Sequence, residues 1–74
     1  VSQALEPLVS FGRNLCRLRT MSRITHEMLA ERAKVDIRQA QRIEAGTGNR
    51  TVDYLDRFRR ALRCEWSDLL RDLN

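Results

Sequence analysis

Cysteine, histidine and aromatic residues are scarce in these 74 residues, and each shortage closes off a class of protein. Cys16 and Cys64 are the two cysteines; they stand far apart and neither belongs to a CxxC pair, so a disulfide scaffold is excluded. Reduced thiols in the core are expected instead. His26 is the single histidine, too few for a His/Cys metal cluster, and no metal or other cofactor is expected. Aromatic residues make up 5% of the chain and none interleaves with its basic run, which argues against RNA as the ligand. No apolar run approaches the roughly 18 residues of a membrane helix, and no signal-peptide pattern opens the sequence. Nor is there an activated nucleophile or a phosphate-binding loop, and so small a domain offers little pocket, so the chain is not expected to be an enzyme.

What remains is the composition of a folded, basic chain. Hydrophobic residues at 42% and charged residues at 32% suit a single domain with a small core. The net charge is +4, and Lys34 is the single lysine among 14 basic residues; all the others are arginine. Arginine presents a planar fork that fits phosphate and guanine, where lysine presents a point charge. The charge is unevenly spread. Residues 13–23 hold four arginines and no acid, while residues 65–74 hold three acids and one arginine. One end should therefore attract a polyanion and the other face away from it, an ordinary solvated surface being the alternative.

The most informative stretch is T-H-E-M-L-A-E-R-A-K-V-D-I-R-Q-A-Q-R-I-E-A-G, residues 25–46. It reads as a short helix over 26–33 capped by Thr25, a tight turn at Lys34-Val35-Asp36, and a second helix over 37–44 capped by Asp36. Leu29, Ala30 and Ala33 give the first helix one apolar stripe, and Ala40 and Ile43 give the second another. With Ala40 at the centre of the buried face, Ile43, Ile37 and Glu44 fall within about 60° of it. Arg38 and Arg42 then point the opposite way, flanked by Gln39 and Gln41. A thin apolar back with two arginines and two glutamines outside is suited to insertion into a polar groove.

This arrangement resembles the helix-turn-helix of the lambda repressor and Cro superfamily, the XRE-type regulators of bacteria and phages. The matching residues are T-H-E-x-L-A-E-R-A, V-D at the turn and I-E-A-G at the end of the second helix. N-L-C-R-L-R upstream, N-R-T-V-D-Y-L-D-R-F-R-R-A-L downstream and W-S-D-L-L after it extend the resemblance from about Phe11 to Leu70. It is the ordered set that is specific. The resemblance implies an all-α, compact five-helix bundle and a cytoplasmic regulator of bacterial or phage type that binds double-stranded DNA.

Residues 1–9, with Ala4, Leu5, Leu8 and Val9, form a lead-in with Pro7 in the first turn of an early helix, or an arm that packs on a partner. The domain proper is expected over 10–74. A first helix should run from Ser10 to about Met21 with Phe11, Leu15 and Leu18 inward and Arg13 and Arg17 outward. At Lys34 the family usually has glycine, because the chain needs a left-handed conformation there; lysine costs on the order of 1 kcal/mol. A fourth helix over 52–63, capped by Thr51, should turn Val52, Leu55, Phe58 and Leu62 inward. Within it, Arg59 stands where the family prefers a small apolar residue, and Arg63 where a closing glycine is common. The last helix takes in Trp66, Leu69 and Leu70, beginning after Cys64-Glu65 or at Ser67.

The outer face of the helix over 37–44 carries the base-reading candidates. Arg38 and Arg42 can each grip guanine O6 and N7, and Gln39 and Gln41 can pair with adenine N6 and N7. The resemblance assigns phosphate contacts to Thr25 and His26 at the start of the preceding helix and to Asn49, Arg50 and Thr51 in the following loop. It also pairs Glu44 with Arg19, since a carboxylate at a helix C-terminus opposes the dipole and wants a cation. One such helix spans too few base pairs to find one genomic site, so a homodimer on an inverted repeat is expected, paired through Trp66, Leu70 and Leu73. The rival reading is a protein-interaction module of the same fold, an antitoxin or adaptor, which an exposed Trp66 or an apolar arm from Leu5 to Val9 would favour, burial of both favouring a plain DNA reader.

Overall fold

A computed structural model describes residues 6–48 and 51–71. Five helices follow in order: α1 Glu6–Met21, α2 His26–Ala33, α3 Ile37–Glu44, α4 Val52–Leu62 and α5 Trp66–Leu69, with no strand among the described residues. The fold is the all-α bundle that the sequence pattern implies. Asn49, Arg50 and Leu73, and residues 1–5 of the N-terminal lead-in, lie outside the described residues.

Local chemistry sets the boundaries. Thr25 caps α2 by accepting from the Met28 N–H, Asp36 caps α3 by accepting from the Arg38 N–H, and Thr51 caps α4 by accepting from the Tyr54 N–H. Lys34 ends α2 in the left-handed region at φ 60°, and Arg63 ends α4 there at φ 53°. Each cap N–H turns back onto two carbonyls of the preceding turn. α1 begins at Glu6, four residues before the expected Ser10, with Pro7 in its first turn where the missing N–H costs no bond. α5 is a single turn that starts directly after Glu65.

The core is built from Phe11 and Leu15 of α1, Leu29, Ala30 and Ala33 of α2, Ala40 and Ile43 of α3, Phe58 and Ala61 of α4, and Leu69 of α5. Ile24, in the connection between α1 and α2, closes it from below. One expectation fails here. Val52 is exposed, not inward. As the first residue of α4 it lies beyond the reach of the core, and Tyr54 takes the inward place one turn before Phe58. The two rings meet edge to face, 5.5 Å apart at 73°. The Tyr54 hydroxyl is buried without a hydrogen-bond partner, and burial pushes its pKa up.

Two residues fix α1 against the rest. Asn14 is buried and donates its amide to the carbonyls of Leu69 and Arg71, both at 2.8 Å, tying the chain after α5 to the first helix. Gly12 lets α1 approach the end of α3: a Cβ built there would stand 2.5 Å from the Ile43 carbonyl oxygen and 2.6 Å from that of Glu44. Gly→Ala inside a helix ordinarily stabilises by about 0.5–1 kcal/mol. At Gly12 the sign should reverse, with Gly12→Ala losing roughly 1–3 kcal/mol as the two backbones are forced apart. Urea denaturation of the two proteins checks this; a gain in stability would contradict the close approach.

Candidate nucleic-acid interface

α3 is the element around which the candidate surface forms. Its N-terminus carries a reciprocal cap: Asp36 accepts from the Arg38 N–H at 2.8 Å, and the Gln39 amide oxygen accepts from the Asp36 N–H at 3.3 Å. Ala40 and Ile43 are fully buried, while Ile37 and Glu44 lie at the edges of the inner face. Arg38, Gln39, Gln41 and Arg42 are all exposed. The side chains of Arg38, Gln41 and Arg42 make no hydrogen bond or ion pair with the described residues. Gln39 divides its amide, with the oxygen turned to the cap and the NH2 group left over. The D-x-x-Q spacing that permits this was present in the sequence.

Behind this face, Glu44 joins three helices. Arg19 of α1 grips it with two nitrogens, Nε at 2.6 Å from Oε2 and Nη2 at 3.3 Å from Oε1. The same guanidinium donates to the Ile24 carbonyl at 2.8 Å and approaches the Cys16 sulfur. His26, the first residue of α2, places Nε2 2.9 Å from Glu44 Oε1. The Glu44 side chain is 7% exposed and that of Arg19 15%, so the pair is largely desolvated. The hydrogen bond to Glu44 raises the Arg19 pKa above its ordinary value, with burial opposing it. The His26 ring is thus directed at a carboxylate within the molecule, and only its remaining edge is open to a phosphate. Periodicity could not show this contact, because it spans 18 residues of chain.

The other sequence candidates are dispersed. Thr25 and Thr51 are exposed helix caps, each placed at a helix N-terminus where backbone N–H groups converge. At the far end of the fold Leu70 is 44% exposed, whereas Trp66 is half-buried and packs against the core beneath the Arg59 guanidinium, 5.5 Å from its ring centroid. Arg59 is held from the other side by Asp56, whose carboxyl that hydrogen bond keeps below its ordinary pKa. Cys16 and Cys64 are free and half-buried, and burial pushes the Cys64 thiol up. Among the described residues no group of His, Cys, Asp and Glu is placed to hold a metal ion.

Removing one partner of a desolvated pair strands the other. Arg19→Met should therefore destabilise by about 3 kcal/mol. The double variant Arg19→Met/Glu44→Met should lose less than the sum of the two single changes, with a coupling of about 1–3 kcal/mol. Additive losses in chemical denaturation would show that the pair does not act as a unit.

No protein-family model matches the chain, and no curated protein does. Among solved structures the fold is similar to that of C.AhdI, a restriction-modification controller protein from Aeromonas hydrophila. The TM-score is 0.78 at 31% identity, over 84% of this chain and 94% of that one. With the helix-turn-helix in place and a third of the residues shared along nearly the whole of that protein, the chain belongs to the lambda repressor- and Cro-like, XRE-type family of helix-turn-helix transcriptional regulators.

Proposed function

We propose that this regulator binds double-stranded DNA as a cytoplasmic homodimer, placing α3 of each subunit in the major groove of an inverted repeat to repress transcription, its own included. The observation that carries this reading is the outer face of α3, where Arg38, Gln41 and Arg42 are exposed and without a side-chain partner among the described residues, while Ala40 and Ile43 on the back of the same helix are fully buried. The helix is held rigidly and its reading side chains are free, which is what base recognition requires. Thr25, the open edge of His26 and Thr51 flank α3 as phosphate contacts, and Asn49 and Arg50 join them by resemblance alone. Trp66 is half-buried, and the side chains of the Leu5–Val9 arm, the other feature that separates a DNA reader from an antitoxin or adaptor, lie largely outside the described residues. The dimer surface in this reading is Trp66, the exposed Leu70 and Leu73, with the N-terminal apolar arm as the alternative.

Selection of bound sequences from a random duplex pool tests the reading directly. The control region of a restriction-modification gene pair is the first natural target to compare with the result, given the role in the name of C.AhdI. Arg38→Ala or Arg42→Ala should cost roughly 1–3 kcal/mol on the preferred site and relax its sequence. Arg50→Ala should weaken binding to all duplexes alike and flatten the salt dependence. If the two classes of variant behave identically, the division between reading and positioning residues is wrong. Sedimentation with the selected duplex should give two chains per site, with the α3 helices about 34 Å apart. One chain per high-affinity duplex, indifferent to a second half-site, would overturn the dimer.

A further inference from the structure

On the far side of α2 from α3, the structure holds a basic groove that DNA reading does not use. α2 packs against both α3 and α4, while α3 and α4 have little direct contact, so α2 separates the two surfaces. The groove, of about 630 Å³, runs between α2 and the end of α4 and is rimmed by Arg23, Arg32, Arg60 and Arg63. A shallower depression of about 300 Å³ shares Arg32 and Arg60 and adds Lys34 and Arg57. No acidic residue and no residue of α3 lines either one. Asp56 reaches Arg60 from outside at 2.8 Å, but Arg23, Arg32 and Arg63 have no ion-pair partner among the described residues.

Backbone geometry adds an independent observation. The described residues other than glycine with positive φ are Arg23 at 58°, Lys34 at 60° and Arg63 at 53°. All three are cations, and all three line this trough. Glycine would hold each of these conformations without strain, so the fold alone gives no reason for a long charged side chain there.

The floor indicates what these cations face. Its apolar part is presented by Met28, which is 38% exposed, and by half-buried Leu62, with the core residues Ile24 and Ala61 behind them. A nucleic acid held by the rim alone would leave the exposed Met28 side chain uncovered. Guanidinium forks match carboxylates in bidentate fashion, and an apolar floor accepts aliphatic side chains. We infer that the α2–α4 groove is a docking site for an acidic segment of a partner protein, in which carboxylates meet the arginine rim and interleaved apolar side chains cover Met28.

The test uses the full chain and a short synthetic peptide of alternating glutamate and leucine, followed by amide and methionine-methyl NMR. The peptide should shift the Met28 methyl and the amides of Arg23, Arg32 and Leu62, leaving α3 unmoved. Arg32→Gln with Arg63→Gly, the latter suited to the left-handed cap, should together weaken the peptide about fivefold or more. Arg13→Gln with Arg17→Gln, which removes the same charge from α1, should change it less than twofold. Arg38→Ala with Arg42→Ala should leave peptide binding intact, so the result stands apart from DNA reading. No saturable binding, shifts centred on α3, equal weakening by the α1 variant, or displacement of the peptide by a random-sequence duplex at equal charge would each overturn the proposal.

Discussion

The geometry of the molecule depends on one carboxylate. Glu44 is the last residue of α3, where the helix dipole disfavours a negative charge, and it is nearly excluded from water. Arg19 from α1 and His26 from α2 meet it there, so a single side chain fixes the relative placement of the three helices. A desolvated ion pair is weak evidence for stability but good evidence for a required geometry, since removing either partner leaves a charge stranded. Gly12 belongs to the same junction: without a Cβ it lets α1 press on the carbonyls that end α3, which brings Arg19 within reach.

The consequence is that α3, the proposed recognition helix, is held from behind at both ends. Its N-terminus is closed by the reciprocal Asp36–Gln39 cap and its C-terminus by Glu44, while Ala40 and Ile43 lock the middle into the core. Side chains on the outer face therefore project from a fixed frame. Conformational cost at the moment of binding falls on a few arginine and glutamine rotamers rather than on the backbone.

Much of this was legible in the sequence, because the informative signals are local. Thr25, Asp36 and Thr51 announce three helix starts, and the apolar spacing from Leu29 to Ile43 announces two stripes joined by a turn. Lys34 was expected in a left-handed conformation and adopts one. What the sequence hid depends on contacts between distant segments. Nothing in the sequence marks Gly12 as a close approach, because the partner backbone is that of α3. Nothing marks Asn14 as buried, because its two acceptors lie at and after the end of α5. The contact between His26 and Glu44 likewise joins segments 18 residues apart. Val52 was counted inward by periodicity, which does not know that the core ends one turn later. Arg63, where the family commonly has glycine, is a true left-handed cap, and it lines the groove with Arg23, Arg32 and Arg60.

The central claim is that guanidinium groups on α3 read base edges in the major groove, and DNA chemistry tests it most directly. Each guanine of the selected duplex is replaced in turn by a deazaguanine that lacks N7, and the affinities of the natural protein and of the Arg38→Ala and Arg42→Ala variants are compared. The account predicts that specific guanines lose about 1–3 kcal/mol with the natural protein. At each of those positions one of the two variants should become indifferent to the change. Uniform tolerance of the replacement by all three proteins would contradict it.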